Sequence, residues 1–168
     1  MAANKATITV TASVLPDKLK KTISGTATYN LNDVGTANKW VFYLNNVSTT
    51  SQPCIPDSVA YLPNDAGDQE ASVVDSDTDD LGLIVIKHTG YQGDGLTKTA
   101  ANAKLYINVH PGIDASDTEN LGNMYLLPGE VWWGRFVHSD LTDIQLESSL
   151  GTINVEVYAA VDDSGDGV

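Results

Sequence analysis

The chain has 168 residues, of which 42% are hydrophobic, and this predicts one folded domain that buries about two thirds of its surface. Its 22 acidic and nine basic side chains give a formal net charge of −13 with a single arginine, Arg135, a balance that argues against a dedicated nucleic-acid binder. Because Cys54 is the only cysteine, no internal disulfide can form, and we expect an inert thiol in a protein made in a reducing compartment.

Alternation of aliphatic and polar side chains predicts strands along most of the chain. At the N-terminus Ile8 and Val10 alternate with threonines, a pattern that lacks the continuous apolar stretch of a cleaved signal peptide. Seven further segments follow the same period of two, around residues 23–31, 39–47, 81–89, 103–109, 131–138, 141–149 and 152–161. About eight strands separated by turn signals predict an all-β fold, an antiparallel β-sandwich of jelly-roll-like architecture.

Local patterns add detail to this single predicted domain over residues 1–168. Residues 83–87 are almost uniformly apolar, which is typical of a strand covered on both faces. The polar, glycine-rich stretch that follows predicts a hairpin with a projecting loop, leading into the strand at 103–109. The sequence LPGE at Leu127 to Glu130 predicts a tight turn of type II that starts the aromatic strand VWWGRF.

Charge is distributed unevenly along the chain. Residues 1–56 carry five lysines and two acids, whereas the remaining 112 residues carry four cations and 20 acids. The predicted domain therefore has an extended, mildly basic N-terminal region over about residues 1–22, and a long loop over about 48–80. Residues 57–80 hold eight acids and no Lys or Arg, so we expect this stretch to be solvated or to face something basic.

The alternating acidic residues of DSDTDDLG, at Asp75 to Gly82, resemble the start of a calcium-binding loop. An EF-hand loop needs glycine at its sixth position and glutamate at its twelfth, and these positions hold Asp80 and Ile86. The EF-hand pattern therefore fails, which leaves a non-EF site on this acidic loop as the less favoured alternative to plain solvation.

Catalytic patterns are equally sparse. Three histidines, His88, His110 and His138, end predicted strands and could bind zinc only if those ends met at one rim. Ser139 and Asp140 follow His138 directly, but the members of a nucleophilic triad converge from separate segments, so adjacency gives no support. We expect a non-enzymatic protein with no catalytic residues, no metal and no cofactor.

The aromatic side chains instead indicate a surface that contacts another molecule. Trp132 and Trp133 are adjacent on a predicted strand, so one should face the core and the other the outside or an interface. By the same rule Trp40 and Phe42 should share a face, opposite to Tyr43. An outward tryptophan can anchor a subunit contact or stack on a sugar ring.

The second half of the chain, from Leu81 to Asp163, contains the successive segments LIVIKHTG, AKLYINV, LLPGEVWWGRF and LTDIQLESSLGTINVEVYAAVDD. This succession resembles the pattern of small structural proteins of tailed-phage virions. In that family a PGE turn feeds a strand and a strand pair closes the chain. The resemblance implies a capsid decoration (cement) or minor capsid protein, without catalysis, on the capsid surface of the virion and made in the host cytoplasm. Its implied partners are the major capsid protein and further copies of itself, most often as a trimer.

The residues suggest how such a protein would dock. We expect Lys18, Lys20 and Lys21 to contact an acidic capsid surface, and Trp132 and Trp133 to supply capsid or subunit contacts. Nucleic acid and membrane are not expected partners. Two alternatives stay open: a carbohydrate- or host-surface-binding module that uses the outward tryptophan with loop aromatics such as Tyr91, and another virion part such as a tail or neck component.

Overall fold

The structure, a computed structural model, describes residues 5–14, 21–30, 38–63, 72–109, 124–136 and 139–162. These residues form strands, turns and one 3₁₀ turn, Leu141–Asp143. The strands are β1 (Lys5–Val14), β2 (Lys21–Asn30), β3 (Asn38–Val47), β4 (Gln52–Pro53), β5 (Asp80–Gln92), β6 (Leu105–Val109), β7 (Met124–Leu126), β8 (Val131–Arg135), β9 (Ile144–Ser148) and β10 (Ile153–Asp162). Within these ranges no helix has the length and apolarity needed to cross a bilayer.

Two compact units divide the chain, residues 1–36 and 37–168. The first contains an antiparallel ladder of β1 and β2 that runs from the pair Lys5 and Asn30 to the pair Val14 and Lys21. The predicted extended N-terminal region, about residues 1–22, therefore includes β1 and the first two residues of β2. Residues 1–4 and 15–20 of this region lie outside the described residues.

Nested antiparallel pairing organises the second unit. β6 pairs with β7, β5 with β8, β4 with β9 and β3 with β10, so the pairs enclose one another along the chain. Successive pairs alternate between two sheets, of order β3–β10–β5–β8 and β4–β9–β6–β7. This is the arrangement of an eight-stranded jelly roll, and it confirms the predicted antiparallel β-sandwich. The prediction of about eight strands missed β4 and β7, which are too short to show a period of two.

The core lies between the two sheets. Alternate residues of β10 point inward and are fully buried: Ile153, Val155, Val157, Ala159 and Val161. The opposite sheet contributes Leu105 and Ile107 from β6, together with Ile144 and Leu146 from β9. Because both sheets bury alternate positions, the period of two in the sequence identifies the inward residues.

One predicted connection is wrong. β5 and β6 do not form a hairpin, since β5 lies in the first sheet and β6 in the second. The glycine-rich segment between them carries the chain across the sandwich, and alternation within two strands cannot reveal which sheet each strand joins.

Two turns differ in how well the sequence anticipated them. The predicted turn at LPGE is confirmed, because Gly129 has φ +88° and the Glu130 N–H donates to the Leu127 carbonyl at 2.9 Å. In contrast, the strand predicted from Leu141 begins only at Ile144. The Asp140 N–H donates to the Asp143 carboxylate at 3.2 Å, which favours a tight turn over an extended strand.

The predicted loop over residues 48–80 also belongs partly to the core. Cys54, Ile55, Tyr61 and Val74 are at most 1% exposed. Residues 64–71 of this segment lie outside the described part of the chain. The described part of this segment therefore combines core residues with exposed ones, among them Asp57, Asp75 and Asp77.

Gly134 makes room for two rings on the inner side of β8. A Cβ at this position would lie 2.9 Å from Phe136 Cε2 and 3.0 Å from Trp132 Cη2. These two rings meet edge to face with centroids 6.3 Å apart. The absence of a side chain on Gly134 therefore lets both rings pack beside the core.

Replacing Gly134 by alanine should force these rings apart. We expect Gly134→Ala to lower the free energy of unfolding by about 1–3 kcal/mol, the usual cost of overpacking, as measured by urea denaturation. Gly25→Ala is the matched control, since a Cβ on this strand glycine meets no atom within 4 Å. Equal stability of Gly134→Ala and the control would contradict the crowding argument.

Candidate interaction surface

The sheet β3–β10–β5–β8 carries a row of apolar side chains on its outer face. Residues paired directly across neighbouring strands present their side chains on the same face. The registers align Phe42 with Tyr158, Tyr158 with Val85, and Val85 with Trp133. The Phe42 and Tyr158 rings are in contact, with centroids 4.5 Å apart. We call these four residues the aromatic row.

A second row lies beside it, two residues along each strand. It consists of Leu44, Glu156, Lys87 and Val131 and is called the flanking row. Leu44 and Val131 are 51% and 53% exposed, and Tyr158 of the aromatic row is 45% exposed. Between them the Lys87 ammonium pairs with the Glu156 carboxylate at 2.9 Å. The two rows together are called the apolar face.

The tryptophan pair is arranged as the alternation predicts. Trp132 packs against the core, whereas Trp133 lies partly buried in the aromatic row. Of the two, Trp133 is therefore the one that the apolar face presents. Tyr91 is 37% exposed but lies six residues from Val85 along β5, about 20 Å away, so it does not join Trp133 in one site.

Of the other predicted contact residues, Lys18 and Lys20 lie outside the described residues. The same holds for His110 and His138, two of the three histidines considered as zinc ligands. Lys21 opens β2 opposite Val14, and its side chain is not described. Their proposed roles stay predictions.

His88 is a buried polar group inside the sandwich. Its Nδ1 accepts the Gly90 N–H at 3.2 Å, while its fully buried Nε2 has no partner with hydrogen-bond geometry. Burial lowers the pKa of His88, and this outweighs the opposing effects of the Ala103 backbone and the Glu130 carboxylate. The ring is thus held neutral near physiological pH. It lies inside the sandwich and not at a rim, where a zinc ligand would have to lie.

The acidic stretch is more structured than its composition suggests. Asp79 is only 2% exposed, and its carboxylate accepts the Tyr61 hydroxyl at 2.5 Å and the Asp75 N–H at 2.8 Å. The expectation of a solvated stretch is therefore wrong at Asp79. Its partner Tyr61 lies 18 residues away in sequence, so the charge pattern alone could not reveal the pairing.

Other acidic residues of this region accept hydrogen bonds from the loop or lie close to further carboxylates. Asp57 accepts the Ser76 hydroxyl at 2.6 Å and its N–H at 2.8 Å, and these bonds lower the pKa of the Asp57 carboxyl. In contrast, burial, followed by the nearby carboxylates of Asp143, Asp80 and Asp77, raises the pKa of Asp140. In the described ranges no three His, Cys, Asp or Glu residues are grouped so as to hold a metal ion.

Cys54 is a structural residue. It is fully buried, its Sγ lies 3.7 Å from the Leu141 carbonyl, and burial raises the pKa of the thiol to about 12. A thiol that stays protonated and inaccessible is a poor nucleophile, which agrees with the inert role expected from the sequence.

Comparison of the chain with protein-family models, with curated proteins and with solved structures returned no match.

Burial of His88 predicts a pH-dependent stability. Because its pKa is lower in the folded state than the ordinary value of 6.5, the unfolded chain binds more protons as the pH falls below about 6.5. The free energy of unfolding should therefore decrease between pH 7.5 and 5.5, by up to about 1.4 kcal/mol per pH unit. Chemical denaturation of His88→Gln should show a flatter profile, whereas an unchanged slope in this variant would contradict the assignment.

Removal of the Tyr61 hydroxyl tests the buried carboxylate. Tyr61→Phe should lower the free energy of unfolding by about 1–3 kcal/mol, because Asp79 loses a buried hydrogen-bond donor. Tyr125→Phe provides the comparison, since Tyr125 is 50% exposed and should change stability little. Thermal or urea denaturation at pH 7 measures both, and similar losses would argue against a special role for the pair.

Proposed function

We propose that the chain is a non-enzymatic structural protein of a phage virion, most specifically a capsid decoration (cement) protein. It would bind the assembled head and stabilise it through contacts of its β-sandwich. The observation that carries the proposal is the apolar face, a surface across four strands whose two charged side chains are paired with each other. Such a surface suits assembly between proteins, and it offers no convergent set of groups for chemistry.

The fold supports the same proposal. Jelly rolls recur in viral capsid domains, although the same architecture also occurs in lectins and cupins, so the fold alone does not decide. The resemblance of residues 81–163 to virion structural proteins favours the capsid assignment among these. The partners in this proposal are the major capsid protein and further copies of the chain, as a trimer, at the capsid surface.

Charge supports a direction of docking. The chain has nine cations, and three of them, Lys18, Lys20 and Lys21, fall within four residues in the mildly basic N-terminal third. A shell with an acidic outer surface would attract this segment, while the acidic remainder of the chain would be repelled. In this proposal the lysine segment faces the shell.

The test is co-sedimentation of the purified protein with capsid shells of the same phage that lack it. We expect binding that weakens as salt rises from about 50 to about 500 mM, because screening reduces contacts between opposite charges. The variant Lys18→Glu/Lys20→Glu/Lys21→Glu should bind at least about tenfold more weakly.

A control keeps this result specific to the segment. Lys98→Glu/Lys104→Glu also makes the chain more acidic but lies outside the N-terminal third, so it should bind nearly as well as the parent. Absence of binding to any shells would refute the decoration role. Binding that ignores the triple charge reversal would refute the docking direction alone.

A further inference from the structure

The apolar face is large enough to be the centre of a protein interface. Its eight side chains, six apolar and two charged, form two rows on four strands. At about 4.8 Å between strands and about 7 Å between rows, this footprint is roughly 300 Å². Exposed patches rich in apolar residues on soluble proteins are often functional. A standard interface buries about 800 Å² on each partner, so the patch would be its apolar centre, surrounded by a polar rim.

The polar groups on and beside this face decide what kind of partner fits it. Lys87 and Glu156 already pair with each other at 2.9 Å. At the border of the face, the Asn154 side-chain amide donates to the Asn46 side-chain oxygen at 3.3 Å. A sugar needs side chains that can hydrogen-bond its hydroxyls, and these four are engaged within the chain. The aliphatic residues Leu44 and Val131 instead favour another apolar protein surface.

The net charge of the chain limits which surface two copies could use to associate. Two copies of a chain with a net charge of −13 repel each other, so they can associate only through a surface with little negative charge. The apolar face meets this condition, since its one cation and one anion cancel. Its paired charges can also be buried without leaving either of them unpaired.

We infer that the apolar face is a contact surface between copies of this chain, with a second copy as its occupant. The inference rests on the proposed function in one respect, because in that proposal the chain acts as an oligomer on the capsid surface. Trp133 and Tyr158 would be the buried anchors of the contact, and Leu44 and Val131 would close over its border. The Lys87–Glu156 pair would stay intact within each copy.

Sedimentation equilibrium of the full chain, without shells, tests the inference. The wild type should associate as its concentration rises from about 1 to about 100 μM, and more tightly at higher salt, because screening weakens repulsion between like-charged copies. Docking to shells through lysines would show the opposite salt dependence. One series of buffers of increasing salt concentration therefore distinguishes self-association from docking to shells.

The face variant is Leu44→Lys/Val131→Glu. Leu44 lies opposite Glu156 and Val131 opposite Lys87, so each new charge meets its counter-ion and the fold should be kept. The net charge of the chain is unchanged, and the dissociation constant should rise by about 100-fold. Circular dichroism checks that the sheet content is retained.

The matched control is Leu96→Lys/Leu150→Glu. These leucines are 84% and 56% exposed in turns away from the face, and the same two changes there should leave association unaltered. A wild type that stays monomeric at 100 μM, or a face variant that associates like the wild type, would overturn the inference. So would a monomer that binds an arrayed glycan and loses that binding in the face variant. A monomer that still binds shells would refute this inference alone, whereas an oligomer that does not bind shells would refute only the decoration role.

Discussion

The register of β10 against its two neighbours is the constraint on which the second unit depends. β10 pairs with β3 on one side and with β5 on the other, at the centre of the first sheet. Side chains alternate along a strand, so a slip of one residue would exchange the buried row that starts at Ile153 with the outward row that contains Tyr158. The same register therefore determines both the core and the apolar face.

Sequence reasoning recovers what is local. Alternation located every long strand, and the LPGE turn needed only Pro128 and Gly129 at its centre. Alternation also separated Trp132 from Trp133, because neighbours on a strand must point to opposite faces. These features depend on covalent geometry and on residues close in sequence.

What sequence reasoning missed depends on partners distant in the chain. Phe42 and Tyr158 stand together only because β3 and β10 pair, and more than a hundred residues separate them. The alternating aromatic residues of β3, β8 and β10 were the available signal, but the strand order needed to align them is not encoded locally. The buried carboxylate of Asp79 likewise has a partner distant in the chain, Tyr61, besides the nearby Asp75 N–H. Gly134 is another such case, since its role depends on rings that converge above it.

Nested pairing also sets the order in which the molecule can be completed during synthesis. β10, one of the two central strands of the first sheet, follows the other described strands of the second unit in the chain, so β3 and β5 have no common partner until it emerges from the ribosome. Until then both strands offer unpaired backbone edges and apolar side chains to other nascent chains. Contacts between segments so far apart also make the closing step slow compared with formation of the inner β6–β7 pair. Folding of this unit is thus governed by the arrival of β10, and shortening β10 would remove the middle of a sheet and not its edge.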